Sequence, residues 1–416
     1  MSFTVPDSIT AINAEKTSIT VQISKGPNGR HHELGSGSNG VVYKGSHNSY
    51  GKEIAVKKFT LHHDRDLGDY KNKVLKIAKA VESSYFLSSI FTKCEPNFLC
   101  FYGLVLNTVQ EGAFKKKMIF DQVKNQGVFL TDEIHENTFY LLYEYVKGRD
   151  LDVILRESDR DINYRKYGLE LLKAIVKLRN VPIKIRATNE KILTAQMVHL
   201  DIKPSNIMIE TDTDTLKIID LNTVCIPTET KGNGGCARQS LTFEYSGPEV
   251  FASALPPNAS LSAEAAQARE IAETKEQRKR LFASDIIATG LTLYEMIMKK
   301  AGLQLPNYSI IGLLDYWKRK EFEGKEVDLH FTPEKAQWAP LISRMVKRDY
   351  KERPTATQAL ADFKAVLDWE DGPGSVALPK EAGSRARKSS KIRIKNRRNK
   401  SRRSAEGNKI NSLRRK

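Results

Sequence analysis

Hydrophobic and polar residues alternate in several short segments of the N-terminal third, and this pattern predicts β-strands. The clearest segment is 18–24 (Ser-Ile-Thr-Val-Gln-Ile-Ser), which is followed by the turn-forming sequence Lys-Gly-Pro-Asn-Gly at 25–29. Further strands are expected up to Leu34, from Val41, over 53–58, over 98–106 and over 138–146. Apolar positions at helical spacing between 68 and 90 predict one helix among these strands.

From Leu151 onward the spacing of apolar residues becomes helical. One apolar face is formed by Tyr164, Tyr167, Leu171, Leu172, Ile175 and Leu178. A strongly apolar helix is expected from Asp285 to Met298, and amphipathic helices are expected over 340–346 and 357–367. An antiparallel sheet with one main helix, followed by a larger helical region, predicts an α+β fold of two lobes.

Three polar stretches, 107–137, 180–193 and 252–281, interrupt the regular pattern and are interpreted as insertions. The predicted organisation is an N-terminal extension (1–17), a small lobe (18–146), a large lobe containing the 252–281 insertion (147–370) and a basic tail (371–416).

Charge changes this picture only at the C-terminal end. The 416-residue chain has a formal net charge of +17, and residues 371–416 hold 16 Lys/Arg against 3 Asp/Glu, a balance of +13. The other 370 residues hold 51 Lys/Arg and 47 Asp/Glu, a balance of +4. The basic character therefore belongs to the tail, which has few large apolar residues and is expected to be disordered alone.

A basic tail of this kind suits an import receptor, nucleic-acid phosphates or an anionic membrane surface, and a solvated tail without a partner is the alternative. Ser389, Ser390, Ser401 and Ser404 lie among its arginines, and phosphorylation there would lower the charge. Nuclear import would add the nucleus to the expected locations of the protein.

Compartment and membrane signals point to a soluble intracellular protein. The N-terminus has no basic and apolar signal pattern, and no apolar run reaches the roughly 18 residues of a membrane span. The four cysteines, Cys94, Cys100, Cys225 and Cys236, do not form a disulfide framework or a zinc motif and are predicted to be reduced thiols. A cytoplasmic location is expected, or a host-cell cytosol if the chain is a bacterial effector.

The segment 199–206 (His-Leu-Asp-Ile-Lys-Pro-Ser-Asn) carries the most specific chemistry of the chain. It places the acid Asp201, the cation Lys203 and the amide Asn206 within six residues, and a second acid, Asp220, follows fourteen residues later. Phosphoryl transfer from a metal-bound nucleotide needs such a set: one carboxylate for the attacking hydroxyl, a cation for the moving phosphoryl group, and an amide and carboxylate for the metal.

Two upstream motifs fit the same chemistry. Residues 35–42 (Gly-Ser-Gly-Ser-Asn-Gly-Val-Val) match G-x-G-x-x-G-x-V, in which glycines let backbone N–H groups approach phosphate. This motif alone is a weak signal, but it lies between two predicted strands, which disfavours a Rossmann site. Lys57 follows Val42 by fifteen residues, in a further predicted strand.

Together these motifs resemble those of the eukaryotic-type serine/threonine protein kinase family, over about residues 20–368. Two departures are visible: Leu200 stands where the family usually has Arg, and Asp220-Leu221-Asn222 stands where it usually has Asp-Phe-Gly. In the family that Arg meets a phosphorylated residue of the activation segment. The resemblance therefore implies a kinase that is not controlled by phosphorylation of this segment, and Asn222 places full metal competence in question.

The resemblance implies that ATP binds between the lobes, with Tyr143 as gatekeeper and the backbone of Glu144 and Val146 at the adenine edge. Asp150 is expected at the ribose and Met208 below the adenine. The implied nucleotide-binding residues are Leu34, Gly35, Gly37, Gly40, Val42, Ala55, Lys57, Glu144, Val146, Asp150 and Met208.

The catalytic roles are carried over residue by residue. Asp201 is the implied base and Lys203 the cation that stabilises the transferring group, whereas Lys57 meets the nucleotide phosphates and pairs with an acid of the small-lobe helix. Glu82 is favoured over Asp69 as that acid. Asn206 and Asp220 are the implied ligands of Mg²⁺, with Mn²⁺ as an alternative metal.

The resemblance also extends to the end of the activation segment and to two structural residues. Residues 242–249 (Thr-Phe-Glu-Tyr-Ser-Gly-Pro-Glu) match the segment's end, where Thr242 is expected near the substrate and Glu249 is expected to pair with Arg353. Asp285 matches the aspartate that caps the backbone of the catalytic loop.

The sequence therefore indicates an ATP-dependent serine/threonine protein kinase that acts on protein hydroxyls. A nucleotide-binding pseudokinase scaffold is the alternative from another class, and retention of Lys57, Asp201, Asn206 and Asp220 together favours the enzyme. A third interpretation, a nucleic-acid tether with a vestigial core, depends on the tail alone.

Overall fold

The computed structural model of the protein describes residues 7–12, 18–37, 40–47, 52–60, 94–107, 138–157, 161–184, 192–221, 223–227, 236, 245–247, 263–299, 326–327 and 329–372. Residues Met1–Asp371 form one compact unit, and the chain after Gly372 lies outside the described residues.

The small lobe is a seven-stranded antiparallel sheet in the order β2-β1-β6-β7-β5-β4-β3. Its strands are β1 (Ser8–Ile12), β2 (Ser18–Ile23), β3 (Glu33–Gly37), β4 (Gly40–His47), β5 (Lys52–Thr60), β6 (Phe101–Asn107) and β7 (Thr138–Glu144). Strand β2 also pairs with β4, beside the β3–β4 pairing on the same edge. The pairing therefore closes into a ring rather than ending in two free edges.

Alternation along β5 separates a core face from a cleft face, as expected from the two-residue period of a strand. Ile54, Val56 and Leu142 are buried in the small-lobe core. Ala55 and Lys57 alternate with them and are only partly buried, so they belong to the opposite face. This confirms the antiparallel sheet and the α+β fold class that the sequence predicts.

One boundary differs from the prediction. Residues 1–17 were expected to lie outside the small lobe, but Ser8–Ile12 forms β1, which pairs along its length with β2 and through Ile12 with Leu104 of β6. The five-residue strand is held by these partners rather than by its own propensity. The predicted helix over 68–90 and the insertion after residue 107 lie outside the described residues.

The large lobe begins after the connection at residues 145–147. Its elements are β8 (Gly148–Asp150), α1 (Leu151–Arg156), α2 (Tyr164–Leu178), β9 (Val181–Lys184), β10 (Ile192–Ala195), β11 (Ile207–Glu210), β12 (Thr215–Ile218), α3 (Ala263–Met298), α4 (Ala339–Met345) and α5 (Ala356–Asp371). Strands β8, β11 and β12 form a three-stranded sheet, and β9 and β10 form a separate hairpin within the predicted 180–193 insertion.

Helix α3 is longer than predicted. The sequence suggested an inserted exposed helix within 252–281 and a separate buried helix from Asp285, whereas one continuous helix runs from Ala263 to Met298. Within the described residues, Glu276–Met298 has the length and composition of a membrane span, and 72% of its most apolar window is buried in the protein. This burial identifies the segment as the central core helix of the large lobe.

The prediction of four reduced thiols is wrong in this structure. Cys94 is joined to Cys100 and Cys225 to Cys236, by disulfides that close short local loops. The members of each pair lie 6 and 11 residues apart, and the folded backbone brings them together without a sequence motif. The argument for a cytosol-like compartment therefore loses the support that it took from the cysteines.

Candidate active site

The catalytic loop is held from behind by helix α3. Asp285 is fully buried, and its two carboxylate oxygens accept the backbone N–H groups of His199 (2.8 Å) and Leu200 (2.7 Å). The guanidinium of Arg179, which follows α2, lies 2.8 Å from the same carboxylate. Leu200 has a positive φ of 69°, which costs a non-glycine residue about 1 kcal/mol or more. The expected cap of Asp285 on the loop is therefore confirmed.

The acid, the cation and the amide of the loop meet in space. The Lys203 ammonium lies 3.0 Å from a carboxylate oxygen of Asp201. The Asn206 side-chain amide donates to the same Asp201 oxygen at 2.7 Å and to the Asp201 backbone carbonyl at 2.8 Å. Asp201 is 8% exposed, so these contacts fix its carboxylate at the wall of the cleft.

His199 supports the loop as a neutral side chain. It is fully buried, and burial lowers the pKa of its imidazole despite the nearby carboxylates, of which Asp285 has the largest opposing effect. Its Nδ1 accepts a hydrogen bond from the backbone N–H of Asp201 at 3.3 Å. The imidazole therefore helps to hold the backbone that carries the Asp201 side chain.

Asp220 reaches the cleft at the end of the β11–β12 hairpin. The backbone N–H of Ile219 donates to the Asn206 carbonyl at 2.9 Å, which joins the end of the hairpin to the catalytic loop. The Lys57 ammonium lies 3.6 Å from Asp220, so the small-lobe lysine and the predicted metal ligand are brought together across the cleft. Both side chains stay partly exposed, at 16% and 25%.

The glycine-rich hairpin is aligned with this lysine. Gly35 of β3 pairs with Val42 of β4, and Val42 pairs with Lys57 of β5. Paired residues of an antiparallel sheet share a face, so Val42 and Lys57 face the same side. Gly37 pairs with Gly40 at the hairpin end, and residues 38 and 39 lie outside the described residues, so the phosphate-binding role stays a prediction.

The connection between the lobes contains the predicted adenine-binding backbone. The N–H of Glu144 already donates to the Cys100 carbonyl at 2.9 Å, so a purine would meet its carbonyl oxygen instead. Gly148 follows, and a Cβ there would lie 2.2 Å from the backbone oxygen of Ile209. Only glycine fits this close crossing of β8 over β11.

The remaining nucleotide residues lie around this crossing. Met208 pairs with Asp150 across β11 and β8, which places the predicted adenine floor and ribose contact side by side. Burial raises the pKa of Asp150, with a further contribution from Asp152. Three further predicted nucleotide-binding residues are described. Ala55 pairs with Tyr143 across β5 and β7. Val146 is buried, and Leu34 on β3 is 38% exposed.

A buried carboxyl lies beneath the end of the activation segment. Glu295 on α3 is 1% exposed and accepts the Tyr245 hydroxyl at 2.9 Å and 3.0 Å. Burial raises the pKa of Glu295 to about 8, although the Tyr245 hydrogen bond acts in the opposite direction. Thr242, Glu249 and Asn222 lie outside the described residues.

The structure describes only some of the other predicted residues. Glu82 and the competing Asp69 lie outside the described residues, so the acid partner of Lys57 stays a prediction. Arg353 is 7% exposed and donates to the backbone carbonyls of Lys347 (2.7 Å) and Ala283 (3.0 Å). Among the described parts of the chain, no group of three His, Cys, Asp or Glu side chains is arranged to hold a metal.

Sequence reasoning missed Arg179 and Lys217. Arg179 also donates to the carbonyls of Met197 and Phe282, and so joins α2, α3 and the catalytic loop. Lys217 lies in β12 with its ammonium 3.0 Å from Glu144. The available signal was a lysine between two apolar residues, Leu216 and Ile218, but in a strand such a lysine usually indicates a solvated edge.

A two-lobed α+β fold, with a glycine-rich hairpin over a lysine and a capped acid–lysine–amide loop below, defines a protein of the kinase class. The protein kinase domain model matches residues 29–363, which is most of the chain. The chain therefore belongs to the protein kinase domain family.

Two relatives are serine/threonine kinases of Arabidopsis thaliana. A putative G-type lectin S-receptor-like serine/threonine-protein kinase is 26% identical over 232 residues, which cover 55% of this chain and 22% of the relative. A second G-type lectin S-receptor-like serine/threonine-protein kinase is 24% identical over 368 residues, which cover 84% of this chain and 34% of the relative. The matched segments thus cover about a third or less of the length of these relatives.

Proposed function

We propose that this protein is an ATP-dependent serine/threonine protein kinase that transfers the γ-phosphoryl group to protein hydroxyls. The observation that carries the proposal is the convergence of Asp201, Lys203 and Asn206 within 3.0 Å, on a loop whose backbone is capped by Asp285. A structural loop would not need a nearly buried carboxylate beside an ammonium at the wall of a cleft. The domain family and the names of the relatives support the same chemistry.

ATP binding is assigned to the cleft face of the small lobe and to the connection. The hairpin at residues 35–42 provides backbone N–H groups for the phosphates, and Lys57 provides a cation below it. The carbonyl of Glu144 and the backbone N–H of Val146 take the adenine edge. Asp150 takes the ribose, and Met208 supports the base from below.

The residues present fit a divalent metal of the Mg²⁺ type. Asp220 provides a carboxylate that is 25% exposed, and the amide N–H groups of Asn206 are directed to Asp201. The Asn206 amide oxygen, the atom that Mg²⁺ prefers, is not needed for that contact. When bound, the metal supplies positive charge to the phosphate oxygens. Two protein ligands suit this metal because it keeps water and phosphate oxygens in its shell.

Catalysis then depends on positioning and charge. Asp201 accepts a hydrogen bond from the substrate hydroxyl and takes its proton as the hydroxyl oxygen bonds to the γ-phosphorus. The bond from that phosphorus to the bridging oxygen breaks, and ADP leaves. Lys203 stabilises the negative charge of the moving phosphoryl group. Its place two residues after the acid supports serine and threonine as acceptors.

Radiolabelled transfer tests this proposal against a nucleotide-binding scaffold. The full chain is incubated with γ-labelled ATP, Mg²⁺ and a mixed protein substrate, and the wild type is compared with Asp201→Asn. Loss of one proton acceptor is expected to lower the rate by about 10²–10⁴-fold. Label on phosphoserine and phosphothreonine is expected after acid hydrolysis. Equal labelling by both chains would exclude the enzyme and leave the scaffold.

Activity is proposed not to depend on phosphorylation of the activation segment. The basis is Leu200, an uncharged residue whose backbone is held by Asp285 instead. A charge-assisted contact with a phosphate needs a cation at this position. Replacement of Thr223, Thr228, Thr230 and Ser240 by Ala removes the hydroxyls that a kinase could phosphorylate here, and it is expected to leave activity within about twofold because no phosphate contact would be lost. An inactive but folded quadruple variant would refute this part.

A further inference from the structure

A disulfide ties the activation segment (residues 223–249) to the backbone that leads into the catalytic loop. The backbone of Cys225 exchanges two hydrogen bonds with Val198, at 2.9 and 3.0 Å. Val198 is fully buried and directly precedes His199 of the loop. Cys225 is bonded to Cys236, 11 residues further along, with a Cα–Cα distance of 5.3 Å. Residue 236 is therefore tied, through Cys225, to the backbone directly before the catalytic loop.

The activation segment is held again at Tyr245. The Tyr245 hydroxyl donates to Glu295 of helix α3 at 2.9 Å. Within the described part of the segment, the disulfide and this hydrogen bond thus attach two points of the chain to the large lobe. The two attachments differ in kind, because the one at Cys236 exists only while its sulfur and that of Cys225 are oxidised.

The sequence between the two cysteines makes a covalent tie useful. Ten residues lie between them, and three of these are glycines, whose backbones lose the most conformational freedom when they are ordered. Leu200 has no charge, so a phosphate on the segment would find no cation at that position. In the chain-entropy account, a link across 11 residues favours the tied arrangement by about 100-fold. The disulfide therefore supplies a constraint that the charge at residue 200 does not.

The disulfide is accessible, and the catalytic groups are assembled in the form that contains it. Cys225 and Cys236 are both only partly buried, and exposed disulfides are those that small thiols reduce most readily. In the same structure Lys203 and Asn206 contact Asp201 at 3.0 and 2.7 Å. The disulfide-bonded chain thus has the loop geometry that phosphoryl transfer needs.

We propose that Cys225 and Cys236 form a thiol–disulfide exchange site, and that the kinase is active when this site is oxidised. This inference rests on the proposed kinase function and adds a condition under which that function operates. It assigns to an oxidised pair of sulfur atoms the ordering role that Leu200 denies to a phosphate.

The oxidant is a small disulfide of the glutathione type. One protein thiolate attacks a sulfur of that disulfide, its S–S bond breaks, and one small thiolate leaves. The second protein thiolate then attacks the protein sulfur of the mixed disulfide and releases the other small thiolate. The two protein thiols give up two electrons and two protons, and the small disulfide takes up both to become two small thiols.

The wild-type full chain provides the main comparison without any substitution. It is treated with oxidised glutathione or with dithiothreitol, desalted under nitrogen, and incubated with γ-labelled ATP, Mg²⁺ and a mixed protein substrate. Differential alkylation and mass spectrometry measure the fraction of chains that contain the Cys225–Cys236 disulfide. The reduced chain is expected to transfer label about 10- to 100-fold more slowly, and reoxidation is expected to restore the rate. ATP affinity, measured by calorimetry, is expected to be the same in both forms, because neither cysteine is assigned to nucleotide binding.

Two double variants assign the response to one pair of cysteines. Cys225→Ser with Cys236→Ser is expected to transfer label at the rate of the reduced wild type after either treatment. Cys94→Ser with Cys100→Ser removes the other disulfide and is expected to keep the wild-type ratio of oxidised to reduced rates. The midpoint of thermal unfolding and the ATP affinity are recorded for each variant to establish that it is folded.

The outcomes distinguish this inference from the proposed function. Equal transfer rates for the oxidised and reduced wild type would overturn the switch, and so would a Cys225→Ser, Cys236→Ser chain that still responds to dithiothreitol. Parallel loss of ATP binding on reduction would also overturn it, because the disulfide would then support the fold as a whole. A wild type that binds ATP and exchanges at Cys225–Cys236 but transfers no phosphate in either form would remove the proposed kinase function, and with it the switch.

Discussion

The cap on the catalytic loop can be tested by a single substitution, Asp285→Asn. The wild-type carboxylate accepts two backbone N–H groups and faces the Arg179 guanidinium at 2.8 Å, in a fully buried position. Asparagine keeps the size of the side chain but has one acceptor oxygen instead of two. Its NH₂ group would then face a backbone N–H, and Arg179 would lose its counter-charge.

The expected loss of stability follows from these contacts. A hydrogen bond to a charged group contributes about 1.5–3 kcal/mol, and removal of one partner of a buried ion pair costs about 3–5 kcal/mol. The two effects share one side chain and do not add fully, and Arg179 keeps its bonds to the Met197 and Phe282 carbonyls. A total of about 4 kcal/mol is expected, which for a unit of roughly 370 residues lowers the unfolding midpoint by about 5 °C.

Differential scanning calorimetry and steady-state kinetics measure the two consequences. Because the loop that carries Asp201 loses a fixed point, kcat is expected to fall by about 100-fold, with little change in KM for ATP. Asp362→Asn is the matched control, since Asp362 makes an exposed ion pair with Arg344 and is expected to contribute less than about 1 kcal/mol. If Asp285→Asn melted like the control and kept half of its kcat, the cap would have no role.

Three further expectations follow. The pKa of Glu295 is raised to about 8 from 4.5, so the folded state holds an extra proton between these two pH values. The free energy of unfolding should therefore fall as pH rises, by up to ~1.4 kcal/mol per pH unit. Glu295→Gln should reduce the pH dependence of the thermal unfolding midpoint between pH 6 and 8, and an unchanged pH dependence would contradict the assignment. Reduction of the Cys225–Cys236 disulfide removes a link across 11 residues and should lower the free energy of unfolding by about 3 kcal/mol. The variant Cys225→Ser should not respond to dithiothreitol at this link. An unchanged thermal unfolding midpoint of the wild type in reductant would argue against the disulfide. Removal of residues 372–416 should abolish salt-dependent binding to duplex DNA if the tail binds phosphates, and equal binding by the truncated chain would exclude that partner.

The parts of the site that are local in sequence could be predicted. Asp201, Lys203 and Asn206 lie within six residues, so their meeting needs only one loop. The contact of Asp285 with that loop was expected from the family pattern and is confirmed at 2.7–2.8 Å. The short β-type runs over 53–58 and 138–146 likewise predicted the strands β5 and β7.

The parts of the fold and site that depend on contacts between residues far apart in sequence could not be predicted. Glu144 and Lys217 are 73 residues apart, and each alone resembles a solvated charge at a strand. The disulfides follow from backbone geometry that no cysteine spacing reveals. Strand β1 is five residues long and exists because β2 and β6 provide its hydrogen bonds, so its own pattern was too short to place it in the lobe.

The most direct test of the central claim measures ATP binding and phosphoryl transfer in the same samples of wild type and Asp201→Asn. Asp201 contacts Lys203 and Asn206 but is not assigned to nucleotide binding. The account therefore expects ATP affinity within about threefold and a transfer rate at least about 100-fold lower in the variant. Equal transfer rates, or no transfer by the wild type while ATP binds, would contradict the claim that this chain is a kinase.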